Sequence, residues 1–152
     1  QGEIVAFDTD MVGPYGYCAD ISRTFVCGND FNNTQKELYS MSLEQINHNS
    51  NLIKADMSFK EFTEKSWKLP EEYYGNRYSV MVHGIGLCDE WPSIRYPTDG
   101  GDKSGRFLKN MTITVESYIG KVVGKEGVKL EQQYLVGENG LELMSHHPLE
   151  NI

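Results

Sequence analysis

Two pairs of extended segments along the chain predict two antiparallel hairpins, the first from apolar runs around a turn and the second from apolar–polar alternation. In the first pair, the apolar run 4–7 leads to Asp8, and an extended pattern resumes over 17–26 after a turn rich in glycine and proline. In the second pair, residues 111–116 and 128–136 alternate on either side of a glycine-rich connection. Each predicted hairpin has one apolar face and one polar face.

The rest of the chain alternates between helical periodicity and short extended runs. Two capping-box patterns, Thr34 with Glu37 and Ser58 with Glu61, mark predicted helix starts. The stretch from residue 87 to Gly105 is rich in Pro, Gly and Asp, and this composition predicts a long functional loop. The further predicted elements are a helix over about 34–54, a shorter helix from 58 that stops at Pro70, and strands at 78–82 and 141–144.

Composition narrows the class of protein. The chain of 152 residues is 39% apolar, which fits one globular core. Its 14 basic and 22 acidic residues give a net charge of −8, and no block of consecutive Lys and Arg exceeds two residues, so a nucleic-acid partner is not expected. We find no apolar run of membrane length and no secretion signal, and we therefore expect a cytoplasmic protein without a membrane partner. The three cysteines are expected to be reduced thiols.

Acidic residues concentrate on the polar faces of both hairpins. Asp8 and Asp10 are two apart and share a face, and a turn centred near Tyr15 would bring Asp20 opposite Asp10. Opposed like charges destabilise a strand pair unless a multivalent cation lies between them. The alternative for this hairpin taken alone is an exposed acidic end.

The second hairpin carries Glu116 and Glu131 on its polar face, and His83 lies between the hairpins in the chain, followed by glycine. Each of these residues alone is more often a solvated or structural side chain. Together they supply an oxygen-rich site with one imidazole, a donor set that suits Mn, Fe, Co or Zn. Five or six carboxylates with a neutral histidine carry a charge that two divalent cations mostly cancel, so we predict a site for two metal ions.

Four motifs resemble the pita-bread family of creatinase and aminopeptidase P type. They are Gly16-Tyr17-Cys18-Ala19-Asp20-Ile21-Ser22-Arg23-Thr24-Phe25, His83-Gly84-Ile85-Gly86, Val115-Glu116 with Val128-Lys129-Leu130-Glu131, and the stretch 139–145. The resemblance implies an α+β domain with a curved antiparallel sheet and helices on its outer face. It also implies that Asp20 and Glu131 each bridge the two metal ions. The five metal ligands that the resemblance implies are Asp10, Asp20, His83, Glu116 and Glu131.

The family's domain consists of two pseudo-symmetric halves, and residues 1–152 resemble the second, C-terminal half. The first residue is Gln, and the strand pattern starts almost at once. We therefore expect a fragment without the upstream half and the N-terminal domain, taken from a full-length protein that is a homodimer.

Two departures from the family's peptidases bear on function. Peptidases place a histidine before a glutamate in the loop that follows the first histidine, whereas this chain has Asp89-Glu90-Trp91-Pro92. An ionised aspartate accepts hydrogen bonds and can abstract a proton, but it cannot donate to an oxyanion. The second departure is the strand Asp8-Thr9-Asp10, which makes Asp8 a sixth predicted ligand.

Both departures are similar to the dimethylsulfoniopropionate lyase branch of this fold. That resemblance implies cleavage of a sulfonium zwitterion to dimethyl sulfide and acrylate, with Asp89 as the base of a β-elimination. An aromatic, acidic pocket suits a sulfonium cation, and Tyr78 and Trp91 are the predicted substrate-binding residues. Tyr96 also flanks the histidine loop.

Two other functions fit parts of the pattern. One is a metallopeptidase for Xaa-Pro bonds, in which Glu116 would assist a bridging hydroxide. The other is a catalytically inactive pita-bread module used for binding. Asp89 argues against the first, and the presence of all five family ligand types argues against the second.

Overall fold

The computed structural model describes residues 1–28, 30–101 and 103–149. A five-stranded antiparallel sheet forms the centre, and two small two-stranded sheets built from the first hairpin pack beside it. The elements are β1 Ile4–Asp8, β2 Met11–Val12, β3 Cys18–Ala19, β4 Ser22–Val26, α1 Asn33–Leu52, α2 Phe59–Lys65, α3 Glu71–Tyr74, β5 Val80–Gly84, β6 Ser93–Arg95, β7 Thr112–Gly120, β8 Gly127–Val136 and β9 Leu141–Leu143.

The central sheet has the strand order β6-β5-β7-β8-β9, and the predicted second hairpin forms its middle. Odd-numbered residues of β7 and even-numbered residues of β8 point into the core, where α1 packs against them. Ser117 donates a hydrogen bond to Gln45 of α1 over 2.6 Å, which fixes this face as the helix side. The opposite face presents Glu116 directly across from Glu131, as one face of an alternating strand pair requires.

The first hairpin keeps one register through both of its small sheets. Asp8 pairs with Ser22, and Met11 pairs with Ala19. Both small sheets therefore share one register, which sets Asp10 opposite Asp20 and centres the turn at Tyr15. A short 3-10 helix, Pro14–Gly16, builds that turn and was not anticipated from the sequence.

The hairpin is fixed to the central sheet by side-chain contacts with β8. Thr24 donates its hydroxyl hydrogen to the Lys129 carbonyl over 2.8 Å and accepts the Lys129 N–H over 3.0 Å. The buried Arg23 guanidinium donates to the Glu131 carbonyl over 2.6 Å and to the Gln132 side chain over 2.6 Å. The acidic hairpin is thereby held beside the glutamates of the second hairpin.

Several predicted boundaries are corrected by the structure. The N-cap of α1 is Asn32, which forms a capping box with Gln35, so the predicted pair Thr34 and Glu37 is wrong. Ser58 does cap α2, as its hydroxyl accepts the Glu61 N–H over 3.1 Å, but the helix ends at Lys65 rather than near Pro70.

Two further short elements were not predicted. Helix α3 follows Pro70, and strand β6 lies inside the stretch interpreted as a loop. Three residues are too few to show a period-two pattern, so pairing with β5 alone defines β6. Within the described residues, no helix combines the length and apolar character that crossing a membrane requires, and Cys18, Cys27 and Cys88 are free thiols.

Candidate metal centre

Strand β5 and both hairpins bring four side chains into one buried cluster. The Nε2 atom of His83 lies 3.1 Å from Oε1 of Glu131, 3.6 Å from Oδ2 of Asp20 and 3.8 Å from Oε1 of Glu116. No residue of the four exposes more than 3% of its surface. Burial of three carboxylates around one imidazole is costly unless cations or protons offset their charge.

A second cluster of ligand atoms adjoins the first and shares Asp20 with it. One side-chain oxygen each from Asp10, Asp20 and Asp89 lies within 4.8 Å of the others. The loop after His83 therefore carries Asp89 to the acidic hairpin, although the two are far apart in the chain. One Asp89 oxygen accepts the N–H of Glu90 over 3.0 Å, which helps to orient the carboxylate.

Asp8 joins the site through a serine. The Ser22 hydroxyl contacts Oδ1 of Asp8 and lies 2.8 Å from Oε2 of Glu131. Asp8 and Glu131 are thus linked side by side, and all six predicted ligands face one region of the molecule.

Lys129 is the part of this site that sequence reasoning missed. Its ammonium group forms an ion pair with Glu116 and lies 3.5 Å from Glu131 and 3.6 Å from Asp8. It also lies 4.6 Å from the ring centre of Tyr78, within the range of a cation–π contact. The available signal was that Lys129 shares the alternating face of β8 with Glu131, inside one of the quoted motifs.

The electrostatics of the cluster reflect crowding of like charges. Burial, reinforced by Glu131 and Asp8, raises the pKa of Asp20 to about 8. Burial raises the pKa of Glu116 to about 7 against the opposing effect of Lys129. Burial alone would lower the pKa of His83, but its hydrogen bond with Glu131 and the charge of Glu116 raise it to about 9. Burial also opposes ionisation of Glu131, yet His83 and Lys129 hold its pKa well below the usual range. In the metal-free protein, the raised pKa values of Asp20, Glu116 and His83 therefore favour proton binding within the cluster.

The residues fit a divalent cation by two independent observations. Oδ1 of Asp20 and Oε1 of Glu116 are buried acceptors without a hydrogen-bond partner among the described residues, which is rare unless something else binds them. The donor set of carboxylate oxygens with one imidazole nitrogen is that of a transition-metal site and not of a thiolate site.

A cavity of about 290 Å³ opens onto these residues. The further lining side chains include Tyr78, Glu90, Tyr118 and Lys129. Of the predicted substrate-binding residues, Tyr78 lies in the wall. Trp91 is 64% exposed and is not among the described lining residues. Its backbone packs on Gly84, whose N–H donates to the Pro92 carbonyl over 2.9 Å, while the indole points outward.

Tyr96, the third aromatic residue near the histidine loop, belongs to the core. It is 5% exposed, and its hydroxyl accepts a hydrogen bond from Gln45 over 2.5 Å. Core packing therefore explains this tyrosine.

An antiparallel sheet that presents clustered carboxylates and one histidine to a cavity is the arrangement that the pita-bread resemblance implied. The chain belongs to the metallopeptidase family M24, whose family model matches residues 1–138. The resemblance and the fold class predicted from the motifs are confirmed.

Individual relatives carry two different activities in their names. Over 99% of this chain, the sequence is 36% identical to a dimethylsulfoniopropionate lyase DddP of Roseovarius nubinhibens. Over 95% of this chain, it is 32% identical to an Xaa-Pro dipeptidase of Pyrococcus furiosus. Its fold superimposes on an Xaa-Pro dipeptidase from Bacillus anthracis with a TM-score of 0.76 and 32% identity, over 99% of this chain and 41% of that one. The chain spans 34% of the lyase's length and 40% of the Pyrococcus dipeptidase's.

Proposed function

We propose that residues 1–152 are the C-terminal part of the catalytic domain of a metal-dependent lyase, which cleaves dimethylsulfoniopropionate to dimethyl sulfide and acrylate. The observation that carries this proposal is the position of Asp89 against Asp10 and Asp20, at the edge of the candidate metal centre. A carboxylate there can accept a proton, whereas a peptidase needs a hydrogen-bond donor to the oxyanion. The identity to a lyase over nearly the whole chain supports the same conclusion.

The proposed metal ligands are the six predicted residues, and the proposed ions are two divalent cations of Fe, Mn, Co or Zn. The ligands are Asp8, Asp10, Asp20, His83, Glu116 and Glu131, with Asp20 common to both clusters of ligand atoms. Bound cations would supply Lewis acidity that makes the carbon next to a substrate carboxylate easier to deprotonate.

Asp89 performs the proton transfer in this proposal. It takes the proton from the carbon adjacent to the substrate carboxylate, and the electron pair of that C–H bond forms the new carbon–carbon double bond. The bond between the β-carbon and sulfur breaks, and its electron pair leaves on neutral dimethyl sulfide. Acrylate remains, and Asp89 holds the proton until it passes to solvent, so no water nucleophile is consumed.

Tyr78 and the acidic residues around it suit the cationic end of the substrate. Tyr78 is 40% exposed and lies in the cavity wall, so its ring is accessible to a bound substrate. Glu90, whose carboxylate lies 3.4 Å from the Tyr78 hydroxyl, adds negative charge on the same side. A sulfonium group is stabilised by both features.

The test uses the full-length enzyme loaded with each metal in turn, with dimethyl sulfide measured in the headspace and acrylate in solution. We expect equal amounts of both products and little hydrolysis of Xaa-Pro dipeptides. Asp89→Asn should lower turnover by roughly 10²–10⁴-fold, the usual contribution of a general base. The exposed Asp30 offers a matched control, since Asp30→Asn changes the same charge away from the site.

Efficient dipeptide hydrolysis without sulfide release would instead establish the metallopeptidase alternative. Inactivity toward both substrates, at full metal occupancy, would favour a binding module.

A further inference from the structure

A proton-abstracting role for Asp89 does not explain why two further carboxylates lie close to it in the second cluster of ligand atoms. Asp10, Asp20 and Asp89 each contribute a carboxylate oxygen, and these oxygens lie within 4.8 Å of one another. A base needs access to substrate, but it does not need two further carboxylates at that distance. Three converging negative charges raise the free energy of the folded protein unless a cation binds among them.

One member of this cluster, Asp20, also has a buried acceptor without a partner in the part of the chain that the structure describes. Asp20 is 3% exposed, and its Oδ2 atom faces His83 at 3.6 Å. Its other oxygen, Oδ1, has no hydrogen-bond partner among the described residues. A buried carboxylate oxygen without a partner is unfavourable, so Asp20 needs a second partner besides His83.

We propose that Asp89 is a seventh metal ligand, which completes a carboxylate triad with Asp10 and Asp20 when no substrate is bound. This inference rests on the proposed metal centre and extends the role of Asp89 within it. The histidine cluster and the aspartate triad then correspond to two adjacent ion positions that share Asp20. All three triad members offer hard oxygen donors, whereas the other position includes the imidazole of His83.

The two roles of Asp89 are compatible because a carboxylate has two oxygens. A cation bound to one oxygen would hold the Asp89 carboxylate in place and leave the other oxygen free to accept a proton. The loop that carries Asp89 would be ordered by the ion, and the proton acceptor would be in position before substrate arrives.

The test is a titration of the metal-free, full-length enzyme with Mn²⁺ in the absence of substrate, with free Mn²⁺ followed by its electron paramagnetic resonance signal. The wild type should bind two ions. Asp89→Asn, which preserves shape and removes the charge, should weaken one of the two sites at least tenfold and leave the other unchanged. Asp89→Glu should restore part of the lost affinity, and Asp30→Asn should match the wild type.

Two ions bound by Asp89→Asn with wild-type affinities would overturn the proposal, provided that its circular dichroism and melting temperature match those of the wild type. The titration does not measure sulfide release, so this result would leave the proposed lyase activity to its own test. If both sites weaken together, Asp89 supports the whole cluster rather than the triad, and the proposal is again wrong.

Discussion

Lys129 shows how one side chain changes the charge of a site that otherwise contains only carboxylates and an imidazole. Its side chain is 11% exposed, and its ammonium group contacts or approaches Asp8, Glu116 and Glu131. Burial would lower its pKa, but Glu116 and Glu131 raise it well above its usual range, so the group stays charged. We interpret it as a permanent internal cation that offsets part of the ligand charge.

Replacement of Lys129 by Met should destabilise the metal-free enzyme. The apolar stem is retained while the charge is lost, and removal of one partner from a buried ion pair costs about 3–5 kcal/mol. Chemical denaturation of the metal-free, full-length enzyme measures this change. Lys125→Met is the control because Lys125 is exposed on the connection between β7 and β8. Equal stability of the two variants would show that Lys129 contributes no net stabilisation.

At the scale of single elements, the structure identifies which polar residue begins α1. The side chain of Asn32 accepts the Gln35 N–H over 3.0 Å, and the Gln35 side chain accepts the Asn32 N–H over 2.9 Å. Thr34 lies one residue inside the helix, although the sequence pattern favoured it as the cap.

Asn32→Ala should therefore lower the free energy of unfolding by about 1 kcal/mol, the usual effect of losing an N-cap. Thr34→Ala is the matched control and should change stability much less, since Thr34 is exposed and does not cap the helix. Denaturant unfolding of both variants checks the difference. A larger effect from Thr34→Ala would contradict the observed helix start.

Close backbone packing at Gly84 positions the histidine loop against the segment that leads into β6. A Cβ atom on Gly84 would lie 2.1 Å from the Trp91 carbonyl oxygen, a distance that no packing tolerates. Gly84→Ala should therefore displace the segment that carries Asp89 and cost about 1–3 kcal/mol or more.

The melting temperature of Gly84→Ala and its rate in the proposed lyase reaction should both fall. Gly124→Ala serves as control, because its added Cβ would lie 3.1 Å from the Lys121 carbonyl oxygen, which is much farther than the 2.1 Å at Gly84. Unchanged stability of Gly84→Ala would mean that the loop can move without cost.

At the scale of the whole molecule, the cluster couples stability to pH. The pKa values of Asp20, Glu116 and His83 in the folded protein are raised from ordinary values of 3.8, 4.5 and 6.5 to about 8, 7 and 9. A raised pKa stabilises the fold fully below the unfolded value, and this contribution is lost as pH rises through the folded value. Glu131 acts in the opposite direction, but only at acidic pH.

The metal-free enzyme should accordingly melt at progressively lower temperature as pH increases from about 5 to about 9. Saturating Mn²⁺ should raise the melting temperature most at the alkaline end, because metal binding must release the protons that the site holds. Calorimetry in two buffers of different ionisation enthalpy measures that release. A melting temperature independent of pH in the metal-free enzyme would contradict the raised pKa values.

Much of the fold and the candidate site followed from the sequence. Turn residues between two extended runs predicted the first hairpin, period-two alternation predicted the second, and the register of the first followed from its turn centre at Tyr15. The alternation also predicted that Glu116 and Glu131 lie on the polar face of the second hairpin, where the structure pairs them directly. These features are local, since neighbouring strands and faces depend on residues close in the chain.

Tertiary structure decided the contacts between distant segments. The ion pair of Lys129 with Glu116, the approach of Asp89 to Asp10 and Asp20, and the outward position of Trp91 each depend on how a loop or hairpin packs on the central sheet. The periodicity of the sequence does not predict such packing, because the packing depends on the free energy of burying and pairing groups from separate elements. The sequence thus determined which residues could form a metal centre, and the fold determined their partners.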